Sequence, residues 1–191
     1  MALRAVLFDF FGVISVPAQH AFLERKISDH DLLMHVFELR RQHDLGYIDI
    51  DEYLREVAQL TGVPPDGLRQ HLRSNWVLNQ PLVDYIYTKM KGNYRIGLLS
   101  NAAGDLRSFV PDQLIKDLFD ELIISGDVGM VKPNPEIFEL ACERMGVLPA
   151  ETVMIDDIEE NCDGARAAGL QAITYDTSPQ CIKELKVLLH S

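Results

Sequence analysis

Five short apolar runs decide what this chain can fold into. They are AVLFDF (5–10), RIGLLS (95–100), ELIIS (121–125), TVMIDD (152–157) and QAITYD (171–176). None alternates polar with apolar residues, the pattern of strands buried on both faces of a parallel sheet. From residue 81 on, helical patterns separate them. PLVDYIYTKMKG places Pro81 in a first turn and Gly92 as a stop. NPEIFELACERMG has Asn134 as N-cap, Pro135 at the first helical position and Gly146 just past the end. IEENCDGARAAG predicts a helix over 158–169, whose Gly164, Ala165, Ala167 and Ala168 let it lie close on a sheet; a last helix covers about 179–189. Alternating strands and helices predict an α/β fold, a doubly wound parallel sheet covered on both faces.

One connection breaks the pattern. About eighty residues separate Phe11 from Tyr94, too many for a single crossover. Within them the signals are helical only. A short helix is expected over 18–27, and a second follows Ser28 as cap. A third starts at Asp49, three residues before Glu52, with Ile50, Tyr53, Leu54, Val57 and Leu60 on one stripe. A fourth is PPDGLRQHLRSNW. The division expected is a core of residues 1–13 and 81–191 and an inserted four-helix unit, 14–80, on linkers near ISVPA and VLNQP. Trp76 belongs to the core of that insertion.

Charge narrows the partners. The 191 residues carry 18 basic and 29 acidic side chains, a net charge of -11. That disfavours nucleic acid and anionic membrane surfaces, and an anionic substrate would need a local positive centre. Cys142, Cys162 and Cys181 are odd in number and widely spaced, which fits small buried hydrophobes in a reducing cytoplasm rather than disulfides or zinc. The apolar N-terminus is interrupted by Asp9 and lacks a cleavage signal, and no segment reaches the roughly 18 apolar residues of a membrane span. The six histidines show no metal-ligand spacing.

Several runs end on polar residues: Asp9, then Ser100 and Asn101, then Asp156 and Asp157. In an open parallel sheet all C-terminal strand ends lie at one edge, where ligands bind. A single strand-ending aspartate is as readily a turn or cap residue. The whole set predicts a shared crevice.

FDFFGV, LLSNA, VKPNPEIF and IDDIEENCDGARAAG resemble, in order and spacing, the four motifs of the haloacid dehalogenase-like (HAD) hydrolase superfamily. The match spans most of the chain outside 14–80, and the insertion resembles that superfamily's C1-type cap. The resemblance implies a Rossmann-like core and a hydrolase. The residues make chemical sense on those terms. Asp9 can attack phosphorus as a carboxylate nucleophile, and water then hydrolyses the aspartyl-phosphate. A phosphate beside three carboxylates needs a divalent cation, and Asp9 and Asp157, with Asp156 either on the ion or just behind its ligands, offer the hard oxygens that Mg²⁺ prefers. The resemblance adds the backbone carbonyl of Phe11 as a ligand. Ser100 and the amide of Asn101 can hold phosphoryl oxygens. Lys132, extended before Pro133, would bridge nucleophile and phosphate. Asn161, one turn past Asp157, could orient an acidic ligand. The partner implied is a small phosphorylated metabolite.

Phe11 departs from the family pattern. In the superfamily's phosphatases this position usually carries a second aspartate, the general acid and base. Such help is worth roughly 10²- to 10⁴-fold, so a phenylalanine should slow the reaction without abolishing it. Two alternatives follow. One is a catalytically impaired fold that binds a ligand or partner. The other is a 2-haloacid dehalogenase, whose branch has an aromatic here and needs no metal; Arg40 or Arg41 would then grip a halide or carboxylate, but Asp156 and Asp157 argue against it. The phosphonate-cleaving branch would need a cap lysine, and Lys26 is poorly placed. Arg40, Arg41 and Arg73 could reach a substrate from the insertion, although exposure to solvent is a helix arginine's default.

Overall fold

The computed structural model describes residues 2–17, 26–74, 76–102, 106 and 116–189. Its strands are β1 (Ala5–Phe8), β2 (Ser15–Pro17), β3 (Trp76–Leu78), β4 (Arg95–Ser100), β5 (Glu121–Ile124), β6 (Thr152–Asp156) and β7 (Gln171–Thr174). Each of the five apolar runs is a strand, and they form one parallel sheet in the order β5-β4-β1-β6-β7. Val6, central, lies opposite Ile96 on one side and Val153 on the other. The first run leaves the sheet earlier than expected, at Phe8, because Asp9 and Phe10 turn into the site loop.

The helices are α1 (His30–Asp44), α2 (Ile50–Thr61), α3 (Pro65–Ser74), α4 (Gln80–Tyr85), α5 (Ser125–Val128), α6 (Pro135–Met145), α7 (Glu159–Ala167) and α8 (Ser178–Leu189). One face of the sheet buries Val6, Phe8, Ile96, Leu98 and Ile155 with Leu82, Ile86, Met90 and Leu185. The other buries Leu7, Leu99, Ile123 and Met154 against Ile137, Phe138 and Ala141 of α6 and Ala165 of α7. At about 1.5–3 kcal/mol for each large apolar side chain, these two layers dominate what holds the sheet together. A third cluster, Ile27, Val36, Leu39, Tyr53, Leu54, Val57 and Leu68, joins α1, α2 and α3 to one another. All three cysteines are buried and unpaired. Among the described residues no helix is long and apolar enough to cross a membrane.

Four local expectations need correction. The cap of α1 is Asp29 rather than Ser28: its Oδ1 accepts the N–H groups of Asp31 and Leu32 at 2.9 and 3.1 Å. A carboxylate there also complements the helix dipole, which a hydroxyl does not. The helix after Pro81 changes at Ile86 into a π turn, Ile86–Met90, closed by the Lys91 N–H on the Ile86 carbonyl at 2.9 Å. The wider turn keeps both Ile86 and Met90 in the core. The two linkers are not open chain: β2 and β3 pair antiparallel, Val16 opposite Val77. A short helix, α5, follows β5 where none was expected. The expected helix over 18–27 falls almost wholly outside the described residues, as does the core placement of the Trp76 side chain.

Asn79 fastens this ribbon to the core. Its Nδ2 donates to the Val13 carbonyl and the Tyr175 hydroxyl, both at 2.7 Å, and the Ser178 hydroxyl donates to its Oδ1 at 2.7 Å. Its own N–H reaches the Ile14 carbonyl at 2.9 Å.

Candidate active site

β1 lies where strand order reverses, between β4 and β6, so the loop after it opens at the crevice of a doubly wound sheet. Asp9 is the first residue past β1, and its N–H still reaches the Ile155 carbonyl of β6 at 2.9 Å. This fixes the carboxylate beside the end of the neighbouring strand. Gly12 then turns the chain at φ 92°, and its N–H meets the Ser15 carbonyl at 2.8 Å. A side chain at Gly12 would face a second obstacle besides backbone strain, because a Cβ there would overlap the Asp157 carboxylate.

Lys132 is the centre of the charge network. It is 3% exposed, and its Nζ lies 2.9 Å from Asp9 Oδ1 and 2.5 Å from Asp156 Oδ2. Burial alone would lower the ammonium's pKa, but Asp9 and Asp156 outweigh it and hold Lys132 above the usual lysine value. The peptide bond to Pro133 is cis. Asn101 holds this loop with two bonds, its Nδ2 to the Lys132 carbonyl and its Oδ1 from the Lys132 N–H, both 2.9 Å. Sequence reasoning gave the Asn101 side chain no such task, because its partner is 31 residues away. From the far side, Gly164 of α7 lies so close to Pro133 that a Cβ would overlap its carbonyl. The small helix face expected against the sheet is split: Ala165 packs on the sheet, Gly164 on the lysine loop.

Asp156, fully buried at the end of β6, spends its acceptors inside the protein. Oδ2 takes the lysine; Oδ1 takes the Ile158 N–H and the Asn161 amide, both at 3.0 Å. Asn161 therefore orients Asp156. Asp157 is an exposed residue whose carboxyl is raised by burial and by Asp156. Burial, with Asp156 and Asp157 adding repulsion, pushes Asp9 up to about 7 in spite of Lys132. Ligand atoms of Asp9, Asp156 and Asp157 all lie within 4.8 Å of one another. Three carboxylates against one ammonium leave two negative charges in excess when all are ionised (3 − 1 = 2), which suits a divalent cation. The donors are all hard oxygens, which suits magnesium over zinc.

Ser100 ends β4 fully buried, and its hydroxyl has no hydrogen-bond partner among the described residues. An orphaned buried hydroxyl costs roughly 1–3 kcal/mol, a cost that a bound oxyanion would remove. Phe11 is half-buried, edge-on to Phe10 with centroids 5.0 Å apart. The Arg40 guanidinium of α1 lies 5.6 Å from its ring centroid. Next to this pair is a cavity of about 340 Å³, lined by Phe37, Arg40, Arg41 and Asp44 on one side and by Asn101 and Val131–Asn134 on the other. Ser125 ties the end of α1 to the residue after Asn101: its hydroxyl donates to the Asp44 carbonyl at 2.5 Å and accepts the Ala102 N–H at 2.9 Å. The Phe11–Arg40 contact had no signal in the linear sequence, where the two residues lie 29 positions apart (40 − 11).

A family model described as haloacid dehalogenase-like hydrolase matches residues 3–169. D-ribitol-5-phosphate phosphatase of Bacteroides thetaiotaomicron is 26% identical over 208 residues, spanning 99% of this chain and 100% of that protein. An HAD-like family hydrolase of Porphyromonas gingivalis shares the fold at a TM-score of 0.80 and 23% identity over 100% of both chains. A magnesium complex of an HAD family enzyme from Bacteroides thetaiotaomicron gives a TM-score of 0.74 at 25% identity, over 93% of this chain and 95% of that one.

Proposed function

This chain belongs to the haloacid dehalogenase-like hydrolase family, and we propose that it is a Mg²⁺-dependent phosphatase of small phosphorylated metabolites, working through an aspartyl-phosphate on Asp9. The observation that carries this reading is the buried triad Asp9–Lys132–Asp156, with Asp157 and the orphaned Ser100 hydroxyl beside it. Relatives that are phosphatases, and a similar enzyme crystallised with magnesium, support the reaction and the cofactor.

Asp9, Asp157 and the Phe11 carbonyl would hold the ion, with Asp156, its oxygens already engaged by Lys132, Ile158 and Asn161, adding its charge from behind them. Bound there, Mg²⁺ offsets phosphate charge and polarises the phosphoryl group. Asp9 Oδ attacks phosphorus as the bond to the leaving oxygen breaks. Ser100 and the Asn101 N–H hold the phosphoryl oxygens, and Lys132 offsets charge that develops as the bonds exchange. Asp156 and Asn101 keep Lys132 in place; Asn161 keeps Asp156 in place. Water then cleaves the acyl phosphate and returns Asp9. Phe11 has no proton to give, so the leaving oxygen draws one from the substrate or solvent, and poor leaving groups react slowly. Residues 14–80 serve as a cap over the crevice, limiting it to small molecules. Buried, unpaired thiols support a cytoplasmic setting.

The test is phosphate release from para-nitrophenyl phosphate and from a metabolite panel that includes D-ribitol 5-phosphate. Release should require Mg²⁺ and vanish in Asp9→Asn. Release that survives EDTA or that substitution would overturn the reading.

A further inference from the structure

We propose that Asn79, Tyr175 and Ser178 form a closed ring of hydrogen bonds that sets the spacing of the metal-holding groups and so tunes the site to Mg²⁺; the proposal rests on the phosphatase reading above. Asn79 and Ser178 are buried and Tyr175 is half-buried. A carbonyl only accepts, so the Val13 carbonyl, 2.7 Å away, fixes which end of the Asn79 amide is Nδ2. The other Nδ2 proton goes to the Tyr175 oxygen, and Oδ1 takes the proton of the Ser178 hydroxyl, both at 2.7 Å. Ser178 has no second proton, so Tyr175 donates and Ser178 accepts across the remaining 3.0 Å. Every proton has its acceptor, and the three bonds of the ring run the same way round, so each strengthens the next.

The ring ties together both segments that carry the metal-holding groups. Tyr175 donates its own N–H at 2.8 Å to the Asp156 carbonyl, part of the peptide that joins Asp156 to Asp157. Asn79 holds the Val13 carbonyl through Nδ2 and the Ile14 carbonyl through its N–H. Val13 follows Gly12, which lies against the Asp157 carboxylate and itself follows the Phe11 carbonyl. The site loop and the end of β6 are therefore joined twice, at Asp9 by its N–H on the Ile155 carbonyl and beyond Gly12 by the ring. Asn79, Tyr175 and Ser178 are positioning residues, acting through the loop and strand they hold. Magnesium is sensitive to such spacing, because it demands near-ideal octahedral geometry with short bonds; calcium takes longer bonds in looser arrangements.

Calorimetric titration of the metal-free full chain with MgCl₂ and with CaCl₂, without substrate, reads the effect apart from turnover. Tyr175→Phe removes one oxygen from the ring, and Asn79→Ala removes its centre. Groups behind a metal's ligands typically change affinity by about 10- to 100-fold, and the ring stands one bond further back, so magnesium should bind each variant at least about fivefold more weakly. Calcium should lose less, so the preference for magnesium falls. Ile86→Val, a truncation in the same core outside the ring, should lower the melting temperature and leave both constants unchanged. Tyr175→Phe, the milder change, decides if Asn79→Ala does not fold. A smaller magnesium loss in Tyr175→Phe, or an equal loss for both cations, overturns the proposal alone. A native protein that binds no magnesium overturns it together with the metal of the phosphatase reading. If magnesium binds but no phosphate is released from any substrate, the phosphatase reading fails and the titration still judges the ring.

Discussion

Lys132 faces two carboxylates at 2.9 and 2.5 Å from a position almost out of reach of water. Its removal leaves Asp9 and Asp156 buried with no counter-ion, and breaking a buried pair from one side costs about 3–5 kcal/mol. Lys132→Met should therefore lower the urea midpoint of the metal-free protein by a matching amount and abolish phosphate release. Magnesium should restore part of the stability, because it supplies charge to the same oxygens, but none of the activity. At Phe11 two effects oppose each other. Phe11→Asp restores an acid two residues past the nucleophile and removes the ring beneath Arg40. Turnover of alkyl phosphates, whose leaving oxygen needs a proton, should rise by about 10²-fold. Turnover of para-nitrophenyl phosphate should change far less. No rise on alkyl phosphates would mean that the missing acid does not limit the rate.

The lysine's position is set by elements that do not contain it. Helix α7 rests against the Pro133 carbonyl at Gly164, where an added Cβ would stand 2.8 Å from the carbonyl carbon. Gly164→Ala must push the helix or the lysine loop aside, at about 1–3 kcal/mol for an overpacked site. Because the loop carries Lys132, kcat should drop more than that stability loss explains at a temperature where the variant is fully folded; equal activity would show that the helix moves instead. Elements of this kind also mark what could be read in advance. The five core strands announce themselves because burial on both faces leaves unbroken apolar runs, and their polar ends point to Asp9, Ser100 and Asp156. The β2–β3 ribbon does not, since three residues are too few to show a period. The one-turn spacing of Asn161 from the acidic pair did point to its task, an amide on Asp156. The tasks of the Asn101 side chain and of Gly164 were hidden for another reason: each acts on a partner fixed by tertiary packing, Lys132 or Pro133, and local pattern carries no record of it.

Across the whole molecule, the excess of negative charge opposes both folding and the binding of an anion. The chain carries -11, and within the site three carboxylates lie within 4.8 Å of one another. Screening by sodium chloride weakens repulsion among exposed charges but reaches the buried cluster poorly. Magnesium acts in both places, through ionic strength at the surface and by coordination inside. Its coordination term should follow mass action and reach about 2.7 kcal/mol at a hundred times its dissociation constant. Thermal unfolding in millimolar MgCl₂ should therefore exceed that in sodium chloride of equal ionic strength by several degrees. The surplus should shrink sharply in Asp157→Asn, which removes a ligand while sparing the Lys132 network. Calcium, with its longer bonds and larger coordination number, should stabilise the fold without supporting phosphate release. If magnesium and sodium chloride of equal ionic strength gave the same melting curve, the carboxylate cluster would be holding no ion, and its two surplus charges would have to be carried by protons.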